Sequence, residues 1–307
     1  MHTAYISHAL CLKHDMGSHH PECPARIQAI EDRLIAAGLM DWLQHHDAPE
    51  ATHEQLLRVH APEYLQRIAD IAPREGMVAL DGDTLMNPFS YPAALRAAGA
   101  VVEAVDLVMT GAVENAFCCV RPPGHHAERT QGMGFCIFNN VAVGAAHALG
   151  AHGLSRVAIA DFDVHHGNGT EDIFRDDERV MLCSTFQHPF YPYSGADSGN
   201  AHIINVPLAA GTTSEDFRAA IERQWLPALE EFRPELLLIS AGFDAHRDDD
   251  MSMLGLADAD YDWITAKLMA VAERHAGKRI VSVLEGGYEL NSLARSVLAH
   301  LKRLSGF

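Results

Sequence analysis

Residues 156–170 read "RVAIADFDVHHGNGT". The first half is an apolar run of the kind a buried parallel strand needs. The second half turns acidic at Asp161 and Asp163, then basic at His165 and His166, and ends among glycines. An acid inside a strand costs desolvation. So much titratable chemistry at one strand end is either surface decoration or a site, and the rest of the chain decides which.

The same arrangement recurs. Apolar runs suited to buried strands cover Ala116–Val120, Arg156–Val164, Val180–Phe186, His202–Leu208, Leu236–Ala241 and Ile280–Leu284. Helical patterns lie between them. Pro24–Ala37 opens with proline and stops at Gly38, and Tyr91–Thr110 stops at Gly111, the placement helix ends favour. Asn139–Gly150, Ser214–Phe232, Asp258–His275 and Asn291–Leu304 follow, with Ser214 suited to an N-cap and Glu215 and Asp216 to the first turn. Alternating strands and helices predict an α/β fold, a mostly parallel sheet with helices on both faces. The 307 residues show no linker, low-complexity tract or repeat, so one domain over residues 1–307 is expected.

Composition narrows the function. A formal charge of −18 argues against a nucleic-acid footprint, which needs a basic patch. It suits a merely soluble surface or a cationic substrate. No signal peptide or membrane-length apolar stretch is visible, and the six cysteines form no CxxC pair; the expectation is a cytoplasmic protein with reduced thiols and no membrane partner. The 20 histidines point instead to metal or acid–base chemistry.

Five predicted strands end in polar clusters: "RPPGHHAE" (121–128), "DFDVHHGNGT", "QHPFYPYSG" (187–195), "SAGFDAH" (240–246) and "LEGGY" (284–288). Open α/β sheets bind ligands outside those ends. Asp163 and His165, two apart on an extended segment, face one side, and Asp244 offers a third ligand from another strand. Two carboxylates and an imidazole suit catalytic Zn2+ with an open fourth position; ligand type alone leaves Fe2+ and Co2+ open. His125 and His126, fixed by the preceding Pro-Pro-Gly, supply a general base, and Asp161 is the acid to orient one of them. Tyr288 could donate to a developing oxyanion. His45-His46, with nothing catalytic around it, reads as a solvated loop pair.

Six segments, "SHHPECPARI" (18–27), "RPPGHHAE", "GMGFCIFNN" (132–140), "DFDVHHGNGT", "SAGFDAH" and "LEGGY", resemble in order the class II histone deacetylases of the arginase–deacetylase fold. The resemblance implies a sheet of about eight strands and a zinc-dependent amidohydrolase acting on acylated amines, most familiarly acetyl-lysine. By position it makes Asp163, His165 and Asp244 the zinc ligands, His126 the general base with His125 as its electrostatic or acid partner, and Tyr288 the group that polarises the carbonyl. Gly134, Phe135 and Tyr191 would line the substrate tunnel, with His20 and Gly286 also contacting substrate. A monovalent cation, usually potassium, would sit at Asp161, Asp163, His165 and Ser184, and a second at backbone around Phe174, Asp177 and Val180. Asn168 stands where class I members carry an acid; paired with His126, it would raise that imidazole less than a carboxylate would.

Two other readings share the fold. A two-manganese ureohydrolase needs further acids, and none follows His165 within four residues. A catalytically dead acyl-lysine reader would have lost the zinc ligands or the base, and all are present. Acetylpolyamine amidohydrolases belong to the same family. Met251 falls about where polyamine-selective relatives carry glutamate, which favours acyl-lysine, while Asp83 and the run Asp248–Asp250 could meet a distant ammonium at the mouth. Expected partners are an acylated lysine peptide or a small acylated amine.

Overall fold

The computed structural model describes residues 2–307. Its main sheet contains β1 (Thr3–Ser7), β2 (Gln44–Asp47), β5 (Asn115–Cys118), β6 (Val157–Asp161), β7 (Val180–Gln187), β8 (Ile203–Leu208), β9 (Leu236–Ala241) and β10 (Ile280–Leu284); β3 (Val78–Ala79) and β4 (Leu85–Met86) pair separately as an antiparallel hairpin. The order across the eight strands is β2-β1-β5-β10-β9-β6-β7-β8, and every pairing is parallel. Each residue of β5, β6, β7, β9 and β10 is buried. That two-sided burial is why these strands read as continuous apolar runs rather than alternating ones.

Helices cover the sheet in two groups. One is α4 (Ser90–Met109) against α5 (Asn140–Ala151); the other is α1 (Ala25–Ala36) against α10 (Leu290–Ser305), which also packs on α9 (Asp258–His275). The alanine stripe of α4 is buried, letting its backbone come close to the sheet. The edge strand β2, "QHHD", is polar and largely exposed, a composition that discourages pairing with another chain.

The structure corrects four readings. His45 and His46 belong to β2 rather than a loop, although both keep access to solvent. The N-cap before Ser214 is Thr213, closed by a capping box with Asp216, while Ser214 hydrogen-bonds to Asp260. The 214–232 helix is interrupted: α7 (Ser214–Ala220) passes through a π turn at Ile221–Trp225 into α8 (Leu226–Phe232). Pro227 has no N–H for the ladder, and a π turn absorbs the lost bond. Finally, β6 ends at Asp161 rather than Val164. The short elements α2 (His53–Leu57), α3 (Pro62–Ile71) and α6 (Asn168–Phe174) were not expected.

Candidate functional site

The strands that carry the five polar clusters, β5, β10, β9, β6 and β7, are consecutive neighbours in the sheet. All five loops therefore open at one place, outside the carboxyl ends of a parallel sheet.

Because β6 stops early, Asp163 and His165 do not lie along an extended segment. The chain bends, held by Asp163 N–H to Asp161 Oδ1 (3.1 Å) and His165 N–H to Asp163 Oδ1 (2.9 Å). The side chains still converge. His165 Nδ1 lies 3.0 Å from Asp163 Oδ1 and 3.2 Å from Asp244 Oδ2, and ligand atoms from all three residues fall within 4.8 Å of one another. Asp244 Oδ2 is buried and lacks a hydrogen-bond partner among the described residues. Gly286 donates its N–H to Asp163 Oδ2 (2.8 Å), and a Cβ there would stand 2.1 Å from Asp244 Oδ2. Two buried carboxylates, a buried imidazole and an orphaned oxygen, pressed on by bare backbone, fit a divalent metal.

Electrostatics support that fit. Burial pushes Asp244 up to about 6, and the charge of Asp163 adds to the effect. Burial also raises Asp163, but His125 and His165 outweigh it and hold that carboxyl well below its usual range. Burial lowers His165, yet its bond to Asp163 and the charge of the nearby Asp244 carboxylate prevail and lift it to about 10. A metal binding here displaces that proton.

The two histidines of "GHH" have opposite environments. His125 Nδ1 bonds Asp161 Oδ2 at 2.9 Å. Burial opposes its charge, but Asp161 and Asp163 raise its pKa well above the ordinary value. His126 Nδ1 bonds Asn168 Oδ1 at 2.7 Å, and Asn168 Nδ2 in turn donates to Glu128 Oε1 at 2.7 Å. Glu128 thus fixes which end of the amide faces the ring, so His126 carries its proton on Nδ1 and leaves Nε2 free to accept one. Burial, then the charge of His125, hold His126 well below its ordinary pKa. The two imidazoles, one pushed up and the other down, sit with ring centres 4.0 Å apart, the opposed tuning that acid–base pairs use.

A cavity of about 200 Å3 leads to these groups, lined by Asp83, His126, Gly134, Phe135, His165, Phe190, Tyr191, Met251 and Tyr288. Gly134 is required by contact: a Cβ there would lie 2.4 Å from the His126 ring. Phe190, which sequence reading passed over in favour of Tyr191, stacks on His165 with centroids 5.5 Å apart, while Tyr191 meets His126 edge-on at 5.3 Å. Phe135 meets the Tyr288 ring edge-on at 5.8 Å. Burial and Asp244 push the Tyr288 phenol well above its ordinary pKa, so it stays a donor. His20 is not among the residues lining the cavity; its ring meets Phe135 edge-on at 4.6 Å and its Nε2 bonds the Asp83 carbonyl at 3.0 Å. Gly286 likewise faces the carboxylates rather than the cavity.

Of the acidic run, Asp248 is paired with Arg295 (3.0 Å), Asp249 is buried, and Asp250 remains exposed. Ser184 Oγ is buried and lacks a hydrogen-bond partner among the described residues, one strand across from Asp161. At the second predicted cation position the Phe174 carbonyl accepts from Asp177 N–H and His202 Nε2, and the Asp177 carbonyl from Val180 N–H.

Two bracing groups had no sequence signal beyond their motif. Glu285 Oε2 accepts the N–H groups of Gly124 (2.7 Å) and His125 (3.1 Å), and burial lifts its pKa to about 7. Arg26 donates to the Gly287 and Glu285 carbonyls and lies 5.0 Å over the Tyr288 ring.

Fold and site together define an α/β enzyme whose chemistry lies at the carboxyl ends of a parallel sheet. The family model "Histone deacetylase domain" matches residues 20–304, and the chain belongs to that family of deacetylases and amidohydrolases. It is 38% identical to the histone deacetylase-like amidohydrolase of Pseudomonas aeruginosa over 99% of this chain and 86% of that protein. It is 40% identical to the human polyamine deacetylase HDAC10 over 93% of this chain, which spans 45% of that longer protein. The crystal structure of the HDA15 HD domain superposes with a TM-score of 0.94 at 35% identity, covering 99% of this chain and 90% of that one. No helix among the described residues is long and apolar enough to cross a membrane.

Proposed function

We propose that the chain, acting as one catalytic domain, is a zinc-dependent deacylase that hydrolyses acyl-lysine side chains. The observation that carries the reading is the narrow cavity whose walls are Phe135, Phe190, Tyr191 and Met251 and whose end holds His126, His165 and Tyr288. Such a cavity accepts an aliphatic arm end-on and presents its amide to the polar groups.

Zn2+ held by Asp163, His165 and Asp244 would polarise the amide carbonyl and acidify a water. His126 Nε2 takes the proton of the attacking water, since its Nδ1 is committed to Asn168. His125, kept charged by Asp161, stabilises the negative charge that develops and supplies a proton to the leaving amine. The Tyr288 hydroxyl donates to the carbonyl oxygen as it becomes an oxyanion. The orphaned Ser184 Oγ beside Asp161 supports a potassium ion in the first predicted position; the second position remains the backbone around Phe174, Asp177 and Val180.

The preference for acyl-lysine rests on the rim. Met251 cannot bond an ammonium, Asp248 is held by Arg295, and Asp249 is turned inward. The alternative, an acetylpolyamine amidohydrolase, draws on Asp83 in the cavity wall, exposed Asp250 and the relative named a polyamine deacetylase. An acid aimed at a polyamine's distal ammonium contributes ~1.5–3 kcal/mol. Comparing kcat/KM for an acetyl-lysine peptide with N8-acetylspermidine and acetylputrescine decides between them: the peptide should win, and a polyamine ahead by about tenfold, or ~1.4 kcal/mol, would reverse the reading. Met251→Glu should move the ratio toward polyamines.

A further inference from the structure

Asp249 is buried, with 4% of its surface exposed, and no cation is paired with it among the described residues. Its carboxylate is spent on backbone. Oδ2 accepts the N–H of Tyr288 at 2.6 Å and that of Glu289 at 3.1 Å, while Oδ1 accepts the N–H of Met251 at 2.9 Å. A charged acceptor facing backbone donors makes short, strong hydrogen bonds. One side chain therefore ties the peptide that delivers Tyr288 to the loop that delivers Met251, and both residues line the cavity.

The turn needs such a tie. Gly287, just before Tyr288, has φ +119°, a conformation glycine adopts freely and holds weakly on its own. Arg26 grips this turn by its carbonyls, at Gly287 and Glu285; Asp249 grips it by its N–H groups. Clamped from both sides, the Tyr288 backbone has one position, and the ring follows between Phe135 and Arg26.

We infer that Asp249 is a positioning residue for turnover: it aims the Tyr288 hydroxyl, and does not recognise substrate charge. This rests on the proposed role of Tyr288 as the carbonyl's donor. Asp249→Asn keeps the shape but leaves one amide oxygen for three N–H groups, so whichever way the amide turns, its NH2 meets a backbone donor and the tie between the two loops is broken. A misplacement of ~1 Å at a reacting group costs about 100-fold, so kcat on an acetyl-lysine peptide should fall by about 10- to 100-fold, with KM little changed and the metal content of the holoenzyme intact.

The discriminating test is a double-mutant cycle. In a Tyr288→Phe background the Asp249→Asn change should lower kcat no further, because the hydroxyl it aims is gone. Full additivity would make Asp249 a structural residue only and overturn the inference, as would unchanged kcat in the single variant. If Tyr288→Phe itself keeps wild-type turnover, the role of Tyr288 is what fails. Should Asp249→Asn be insoluble, Asp249→Ser is put through the same cycle, with the same two outcomes.

Discussion

Gly286→Ala is the sharpest single test of the metal site. A Cβ at this position would lie 2.1 Å from Asp244 Oδ2 and 2.6 Å from Asp163 Oδ2, where ordinary contact begins near 3.4 Å. One methyl group must therefore push a carboxylate, or its own backbone, by about 1 Å, a displacement that in an active site costs about 100-fold in rate. No positive φ restricts the residue, so backbone strain adds nothing and the effect is steric. Overpacking a buried site costs ~1–3 kcal/mol, less than the ~5–15 kcal/mol by which folded domains are ordinarily stable. The expected variant is folded, melts a few degrees lower, turns over at least about 100-fold more slowly, and loses metal first when metal is limiting. Gly255→Ala, where a Cβ would meet its nearest atom at 3.4 Å, should leave all three properties unchanged. Assays of kcat, metal stoichiometry by mass spectrometry and thermal melting read the three separately. Near-normal turnover with one metal per chain in Gly286→Ala would refute the placement of Asp163 and Asp244 around a shared ion.

Three further outcomes are expected. Chelation should remove one divalent ion per chain and abolish deacylation, with activity returning on adding Zn2+; full activity in demonstrably metal-free protein would end the metal assignment. Tyr288→Phe should lower kcat about 10²–10³-fold while circular dichroism stays unchanged, and a variant with wild-type turnover would leave Tyr288 a turn residue. His300 is buried between Thr265 and Ser282, and burial lowers its pKa from 6.5 to about 3. The unfolded chain therefore binds the extra proton, so this stability is full above pH 6.5 and drains as pH falls toward 3. At pH 5 the loss from His300 alone is about 2 kcal/mol. Denaturant titrations at pH 7 and pH 5 should show it, and His300→Gln should flatten that difference; an identical slope would reject the buried neutral imidazole.

The site was legible in sequence where chemistry conflicts with packing. Asp161, Asp163 and His165 stand out because charge at the end of an apolar run has no structural excuse, and Asp244 and Tyr288 because they end two more such runs. The six strongest strand runs and the long helices were legible for the same reason, two-sided burial and amphipathic spacing. Residues that act on backbone were not. Asp249 reads as one of three neighbouring acids that could meet an ammonium at the mouth, since nothing in "RDDDM" tells which aspartate turns inward. Glu128 and Glu285 sat inside recognised motifs, but their partners are an amide 40 residues away and two N–H groups some 160 residues away. Strand β2 carries no alternation to read, and the π turn before Pro227 is a consequence of a missing donor that only the three-dimensional ladder reveals.

The strand order also has a bearing on how the chain is made. β10, the last strand in sequence, lies between β5 and β9, so it joins β2-β1-β5 to β9-β6-β7-β8 as a keystone. Until residues 280–284 emerge in synthesis, the sheet consists of two blocks, each with a bare apolar margin, and open margins of that kind recruit strands from other chains. A C-terminal truncation that removes β10 should thus yield aggregates rather than a smaller soluble enzyme, and the interval between synthesis of β9 and β10 is when the nascent chain most needs shielding.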